Sequence, residues 1–443
     1  MIDDNFFWKY DKQPGKKLEL EKEKTKINID VPLVSIITSY YNSNEDMNQT
    51  INCVLNQTFE SWEWIIVDDG STKKEAIEYL EEVKKVDGRI KIYHKQNGGL
   101  ALGRDYGIER ARTNYILPLD ADDLIEPTYI ETLYWSLETN KDATWAFTDS
   151  VGFGKYIYLT DKKFDSEVMK IDNMITATAL IRKEKILELG GYGKAKRYVN
   201  EDWHLWLRML AKGYYPIHVA YYGFWYRRRE DSLLSEINDQ KKQEYQQKMK
   251  DLKVEADKIT KKINAIEYPK SNVKQSIEKT DFKISSNIKI LDNINDSNLY
   301  ILPYLGTDKK MYKKIKKDSK DKKIYIITLQ NNSKSQYFYR QKYEEFATVY
   351  DLPSFLDEKN WLDFIQYVLD SRKINNIYLS NTNYNKTIKE NFNVKIIEEC
   401  KYNNYIYNNQ ILIYKINHLL PIRAIRKIVR IIVNRISGSR KEE

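Results

Sequence analysis

Residues 97–123 read NGGLALGRDYGIERARTNYILPLDADD. A glycine pair opens a run with helical spacing. That run gives way to NYILPL, an apolar strand pattern ending directly in the carboxylates Asp120, Asp122 and Asp123. The same grammar holds upstream. VSIITSYY, from Val34, is a β-branched run that reads as a buried strand, and NSNEDMNQTINCVLNQ reads as a helix. WEWIIVDDGS is a second strand, closing on Asp68 and Asp69; STKKEAIEYLEEVKK is a second helix and RIKIYH a third strand. Strands alternating with helices predict an α/β fold with a mostly parallel, doubly wound sheet. Ligands of such sheets bind beyond the carboxyl ends of the strands, where these carboxylates fall.

The whole chain is 443 residues, enough for two domains and connecting pieces. With 42% hydrophobic and 31% charged residues it has the composition of a folded protein. Its two cysteines, Cys53 and Cys400, argue against a disulfide scaffold or a structural zinc and fit a reducing compartment. The amino terminus has no secretory pattern, and no window of eighteen apolar residues could span a bilayer, so the expected location is cytoplasmic. Of the net charge of +9, residues 419–443 contribute +5, from seven basic and two acidic side chains. A nucleic-acid binder would carry its basic excess on a folded face, so none is expected as a partner.

The domain reading is a polar lead-in over 1–33, an α/β domain over 34–235 and a charged helical linker over 236–268. A second, smaller Rossmann-like α/β domain follows over 269–416, and a basic amphipathic tail over 417–443. In the linker, Tyr245, Met249, Leu252, Ala256, Ile259, Ile263 and Ile266 form a heptad seam. It predicts either packing on a neighbouring domain or an oligomer through the 245–266 helix. In the second domain NLYILPYL, KKIYIITLQ, ATVYDLP, INNIYLSN and VKIIEE are strands, and WLDFIQYVLDSRK is a helix among them. The tail sets Leu419, Ile422, Ile425 and Ile428 on one side and Arg423, Arg426, Lys427 and Arg430 on the other. That balance suits an anionic membrane surface, so peripheral attachment at the inner face of the membrane is expected.

Two groups carry the chemistry. Oxygen ligands at alternate positions of DADD suit a hard divalent cation, Mn²⁺ or Mg²⁺, which would bridge phosphates and offset the charge on a departing diphosphate. In NEDWHLWLRMLAKGY, residues 200–214, Asp202 stands near the start of a helix rich in indoles. It is either a shielded general base for an acceptor hydroxyl or simply a helix cap. His94, His204, His218 and His418 are scattered and form no constellation.

VSIITSYYN, LNQTFESWEWIIVDDGST, the 97–123 block, GGY at 190–192 and NEDWHLWLRML, in this order and spacing, resemble bacterial glycosyltransferase family two, of the GT-A type. The resemblance covers residues 34–235 and implies an inverting glycosyltransferase acting on a nucleotide-sugar donor, a UDP-sugar being the commonest. It implies that Thr38 and Asp69 hold the nucleobase and ribose, with Asp69 facing the base, and that Arg104 lies near the nucleotide. Asp120 would contact the ribose or the metal, and Asp122 would be the main metal ligand. Asp202 would be the catalytic base, with Glu201 as its alternative and Trp203 on the acceptor side. The acceptor would be a glycan, a lipid-linked oligosaccharide or a protein, in surface-glycan synthesis.

Two departures stand out. Many relatives have Ala-Arg-Asn where this chain has Gly103-Arg104-Asp105. Many also place a metal-binding histidine near the position of Arg229 in FWYRRREDSLLS. Arginine cannot coordinate a cation, so Arg229 either pairs with donor phosphate, marks a weaker metal site, or is a surface charge. The second domain loosely resembles the amino-terminal half of a GT-B type glycosyltransferase. The competing readings are an impaired family-two fold serving as an assembly subunit, and a sugar nucleotidyltransferase, whose glycine-rich basic loop SYYNSNEDM does not supply.

Overall fold

The computed structural model describes residues 32–43, 46–155, 158–193, 200–229, 239–269, 296–305, 309–330, 337–372, 374–380 and 382–398. The lead-in up to residue 31 and the amphipathic tail, with its expected membrane contact, lie outside the described residues.

The chain begins with β1 (Val34–Tyr40), α1 (Met47–Leu55), β2 (Trp62–Asp68), α2 (Lys74–Val86), β3 (Ile90–His94), α3 (Leu100–Arg110) and β4 (Tyr115–Pro118). These are the strands and helices that the alternating pattern predicts. β1 to β4 pair in parallel in the order β3-β2-β1-β4. β2 is buried along its whole length and β1 nearly so, which is why both read as continuous apolar runs without alternation. Two glycines of α3 set its distance from the sheet. A Cβ on Gly103 would stand 2.1 Å from Ser39 Oγ, and one on Gly107 2.7 Å from Ile37 Cγ2. Their absence lets α3 lie tight against β1 and brings Arg104 beneath the carboxyl ends of the strands.

After the DADD turn come β5 (Leu124–Ile125), α4 (Tyr129–Thr139), β6 (Trp145–Gly154), β7 (Tyr158–Thr160), α5 (Ser166–Met169), β8 (Leu180–Arg182), α6 (Lys183–Glu188), α7 (Glu201–Ala211), β9 (Pro216–Arg228), α8 (Asp239–Asp257) and β10 (Ile266–Tyr268). They complete a ten-stranded sheet in the order β10-β9-β6-β8-β4-β1-β2-β3, with β5 added to β9 and β7 to β6. β8 is antiparallel to both its neighbours, β4 and β6. The indoles of Trp145 on β6 and Trp206 on α7 stack with centroids 5.4 Å apart, fixing the helix that carries the Glu-Asp pair to the sheet. His218 on β9 joins three strands: Nε2 is 2.9 Å from Asp149 on β6 and Nδ1 is 2.7 Å from Glu267 on β10.

The expected linker over 236–268 is built into this first body instead. Leu252, Ala256 and Ile259 are buried in one core with Trp203, Trp206 and Leu210 of α7. The helix stops at Asp257, and Ile266 enters a strand, so the heptad seam does not run on as a helix. The described part of its apolar stripe, from Met249 to Ile263, packs within the chain.

The remainder is β11 (Ser297–Leu302), α9 (Lys309–Asp318), β12 (Lys323–Thr328), α10 (Tyr337–Glu344), β13 (Thr348–Asp351), α11 (Trp361–Ser371), β14 (Ile374–Leu379), α12 (Asn385–Asn391) and β15 (Lys395–Glu398). The described residues divide into two units, those within 1–292 and 352–372 and those within 293–351 and 373–443. The second unit is a five-stranded, wholly parallel sheet in the order β13-β12-β11-β14-β15, the five strands expected from the pattern. The boundary expected at residue 269 needs correction, because α11 belongs to the first unit. Trp135 of α4 meets Phe364 and Tyr367 with ring centroids 5.1 and 5.3 Å apart. Beside them Arg372 Nη2 sits 2.5 Å from the fully buried Glu131 carboxylate, which also accepts the Tyr367 hydroxyl. A helix with so broad an apolar face needs a matching surface, and α4 supplies it. Among the described residues no helix is long and apolar enough to cross a membrane.

Candidate functional site

The site gathers at the carboxyl ends of β1, β2 and β4, around one arginine. Arg104 is 1% exposed and spans two motifs: Nη2 donates to Asp120 at 2.6 Å, and Nη1 donates to Glu201. DADD and the Glu-Asp pair are far apart in sequence, yet a single buried guanidinium binds both. Burial pulls the Arg104 pKa down, but Asp120 and Glu201 outweigh it and hold the pKa above its ordinary value.

The DADD turn is fixed from below. Thr50 of α1 donates to the carbonyls of Ala121 and Asp123, each at 3.0 Å. Asp123 is buried and accepts the Arg227 backbone N–H at 2.8 Å, so it anchors the turn to the end of β9. Asp120 and Asp122 remain accessible, with side chains 31% and 28% exposed. Burial, and then the neighbouring Asp120 charge, push the Asp122 pKa up to about 6 against the pull of Arg229 and Arg227.

α7 begins immediately after Asn200, whose left-handed φ of 65° turns the chain into the helix. Asp202 is therefore the second helical residue and not the cap. Its Oδ1 accepts the Trp203 N–H at 2.8 Å, and its Oδ2 accepts the side-chain amide of Asn173 at 3.1 Å. Burial, with the adjacent Glu201 charge, raises the Asp202 pKa to about 7, partly opposed by Arg104. Such a carboxylate is poised to take a proton near neutrality.

Other expected site residues make contacts within the protein. Thr38 is fully buried: its hydroxyl donates to Leu119 O at 2.6 Å and accepts the Trp64 indole at 2.9 Å. Asp69 is also buried, accepting the Gly98 and Gly99 N–H groups at 2.9 and 2.6 Å and pairing with Lys95 Nζ at 2.5 Å. Both side chains frame the site. The Trp203 indole donates to Met169 O at 2.6 Å and lies in the core. Arg229 is no idle surface charge: Nη2 lies 2.6 Å from Asp46 and 3.2 Å from Asp122.

Pattern reading missed Asp46, Gln49, Arg227 and Asn173, which lie in loops or outside any motif. One signal was visible in the sequence. Asp105, noted above as a departure from the family pattern, accepts the Tyr192 N–H at 2.7 Å and the Gly193 N–H at 2.6 Å. Two N–H donors, one per oxygen, are what a carboxylate satisfies and an amide does not.

The charge balance bears on a cation. Asp46, Asp120, Asp122, Asp123, Glu201 and Asp202 converge here with Arg104, Arg227 and Arg229, so acids exceed bases. Burial first, and then the neighbouring carboxylates, raise the Asp122, Asp123 and Asp202 pKa values. Among the described residues no three His, Cys, Asp or Glu side chains cluster as a metal cage. Two carboxylates completed by substrate phosphates nonetheless suit Mg²⁺ or Mn²⁺, so the residues fit such an ion.

The chain belongs to glycosyltransferase family 2 and is a glycosyltransferase: the family model described as glycosyl transferase family 2 matches residues 35–231. The putative teichuronic acid biosynthesis glycosyltransferase TuaG of Bacillus subtilis is 30% identical over 192 residues, 41% of this chain and 74% of the relative. The glycosyltransferase GlyG of Streptococcus pneumoniae is 28% identical over 224 residues, 46% of this chain and 73% of the relative. A crystal structure of S. aureus TarS is 16% identical with a TM-score of 0.37, covering 45% of this chain and 37% of TarS. TarS 1–349 in complex with UDP-GlcNAc is 17% identical with a TM-score of 0.41, covering 50% of this chain and 66% of that one.

Proposed function

We propose that this chain transfers a sugar from a nucleotide-sugar donor, a UDP-sugar by family resemblance, to an acceptor hydroxyl with inversion. Asp202 takes the proton of the acceptor hydroxyl. The acceptor oxygen then bonds to the anomeric carbon as the bond to the donor phosphate breaks, and the nucleoside diphosphate leaves with the electron pair. Asp122 and Asp120 would hold Mn²⁺ or Mg²⁺, which supplies positive charge to the diphosphate when bound. Arg104 keeps Glu201 and Asp120 at a set spacing, and Arg229 adds a cation beside Asp122. Thr38 and Asp69 act through the loops they hold. The product is a surface polysaccharide, a lipid-linked oligosaccharide or a glycoprotein glycan; the one relative named for teichuronic acid biosynthesis supports the first. Work at the inner face of the membrane, through the basic tail, completes the reading.

The observation that supports this reading is the Arg104 bridge, in which one buried guanidinium pairs with Asp120 of DADD and with Glu201, the neighbour in sequence of Asp202. The test is a panel of nucleotide sugars with Mn²⁺, followed by nucleotide release, for the wild type, Asp202→Asn and Asp122→Ala. Donor-selective release that Asp122→Ala abolishes, and donor binding without transfer in Asp202→Asn, are expected. Transfer at the wild-type rate in Asp202→Asn would remove it as the base.

A further inference from the structure

The loop entering α1 brings a residue of neither motif to the donor side. Asp46 Oδ1 lies 3.2 Å from Arg227 Nη1, and Oδ2 lies 2.6 Å from Arg229 Nη2. The two arginines are held differently. Arg227 is committed on every side: Nε donates to Asp122 O at 2.7 Å, Nη2 donates to Gln49 at 2.7 Å, and its guanidinium lies 4.5 Å from the Phe153 ring centroid. Among the described residues Arg229 pairs with carboxylates alone. One nitrogen, Nη2, is shared between Asp46 and Asp122, Nε has no hydrogen-bond partner among the described residues, and the side chain is 36% exposed. Arg227 is thus a fixed part of the wall, and Arg229 is an exchangeable cation resting on two acids.

We infer that Asp46 is a positioning residue that shares Arg229 with Asp122 until a diphosphate takes the place of Asp46. This rests on the reading of DADD as the diphosphate site. In the exchange, two phosphate oxygens replace the Asp46 carboxylate as partners of Arg229, and Asp122 is released from the guanidinium for a cation. No covalent bond changes. Asp46 therefore competes with the donor diphosphate for Arg229, and Arg229 competes with a metal ion for Asp122.

Opposite signs test this on the full-length chain. Uridine, guanosine and thymidine diphosphates are titrated calorimetrically without metal, and the tightest binder is carried forward. Mn²⁺ alone is titrated by the loss of its free paramagnetic resonance signal. Asp46→Asn keeps the shape and removes the charge, so nucleoside diphosphate is expected to bind roughly three- to tenfold tighter. Mn²⁺ alone should bind more weakly, because Arg229 then rests on Asp122 undivided. Arg229→Ala should bind Mn²⁺ more tightly, and adding it to Asp46→Asn should abolish the gain in nucleotide affinity. A merely structural Asp46 would weaken both ligands together, and that result, or unchanged binding at an unchanged melting temperature, overturns the inference. If Asp46→Asn fails to fold, the Mn²⁺ affinity of Arg229→Ala decides, and no change there overturns it. A wild type that binds none of the nucleotides, with or without Mn²⁺, removes the glycosyltransfer reading instead; the Mn²⁺ titrations of the variants still judge the exchange.

Discussion

Replacing Asn173 by Ala removes the amide that donates to Asp202 Oδ2 at 3.1 Å, while the carboxylate keeps its burial and its Glu201 neighbour. A hydrogen bond to a charged acceptor contributes about 1.5 kcal/mol at the lower end, and this one is long, so the Asp202 pKa should rise by about one unit. The sign follows from the base role. In the proposed base role Asp202 acts only when deprotonated; its pKa is raised to about 7, and raising it further would remove active base at neutral and lower pH. For a shift from about 7 to about 8, the deprotonated fraction at pH 6.5 falls roughly eightfold, whereas at pH 9.5 the two forms are nearly equal. The assay is nucleotide release under saturating donor and acceptor across pH 5.5–9.5. Asn173→Ala should move the acidic limb of kcat upward by about a unit and leave the alkaline plateau within about twofold. Equal loss at every pH, with no displaced limb, would show that Asn173 does not act through the protonation of Asp202 and would refute the reasoning.

Two further predictions concern stability. Burial pulls the His218 pKa down, but hydrogen bonds to Asp149 and Glu267 outweigh it and raise the pKa to about 9. A histidine raised above its unfolded value contributes stability that is full below about pH 6.5 and lost as pH rises through 9, here on the order of 3 kcal/mol. Melting curves should therefore fall between pH 6.5 and 9.5 for the wild type and flatten in His218→Gln; parallel curves would refute the clamp. Arg372→Ala strands the fully buried Glu131 charge and should cost about 3–5 kcal/mol in chemical denaturation. A loss under about 1 kcal/mol would show that α11 is not integral to the catalytic unit.

How much of the site was legible depended on whether its residues shared a local pattern. DADD and Glu201-Asp202 follow or begin regular elements, so strand and helix periodicity placed them at the correct ends. Asp46, Arg227 and Asn173 carry no such signature, because a loop acid, a strand-end arginine and a loop amide acquire roles only from what faces them. Thr38 and Asp69 show the reverse: their positions at strand ends were right, but both side chains are turned to the Leu119 carbonyl and the Gly98–Gly99 turn.

Local periodicity and composition by themselves determined the alternating strands and helices, the parallel sheet they imply, the five strands of the second unit and the carboxylates at the strand ends. These features depend on residues close in sequence, where backbone geometry alone sets the spacing of apolar side chains. Only the tertiary structure decided that α11 leaves its neighbours in sequence to cover α4, that the heptad stripe of α8 is spent on α7, and that Arg104 ties two motifs together. Those outcomes depend on which apolar faces match and which buried charges find partners. Such pairings are set by packing and desolvation between distant segments, and no sequence window contains both members.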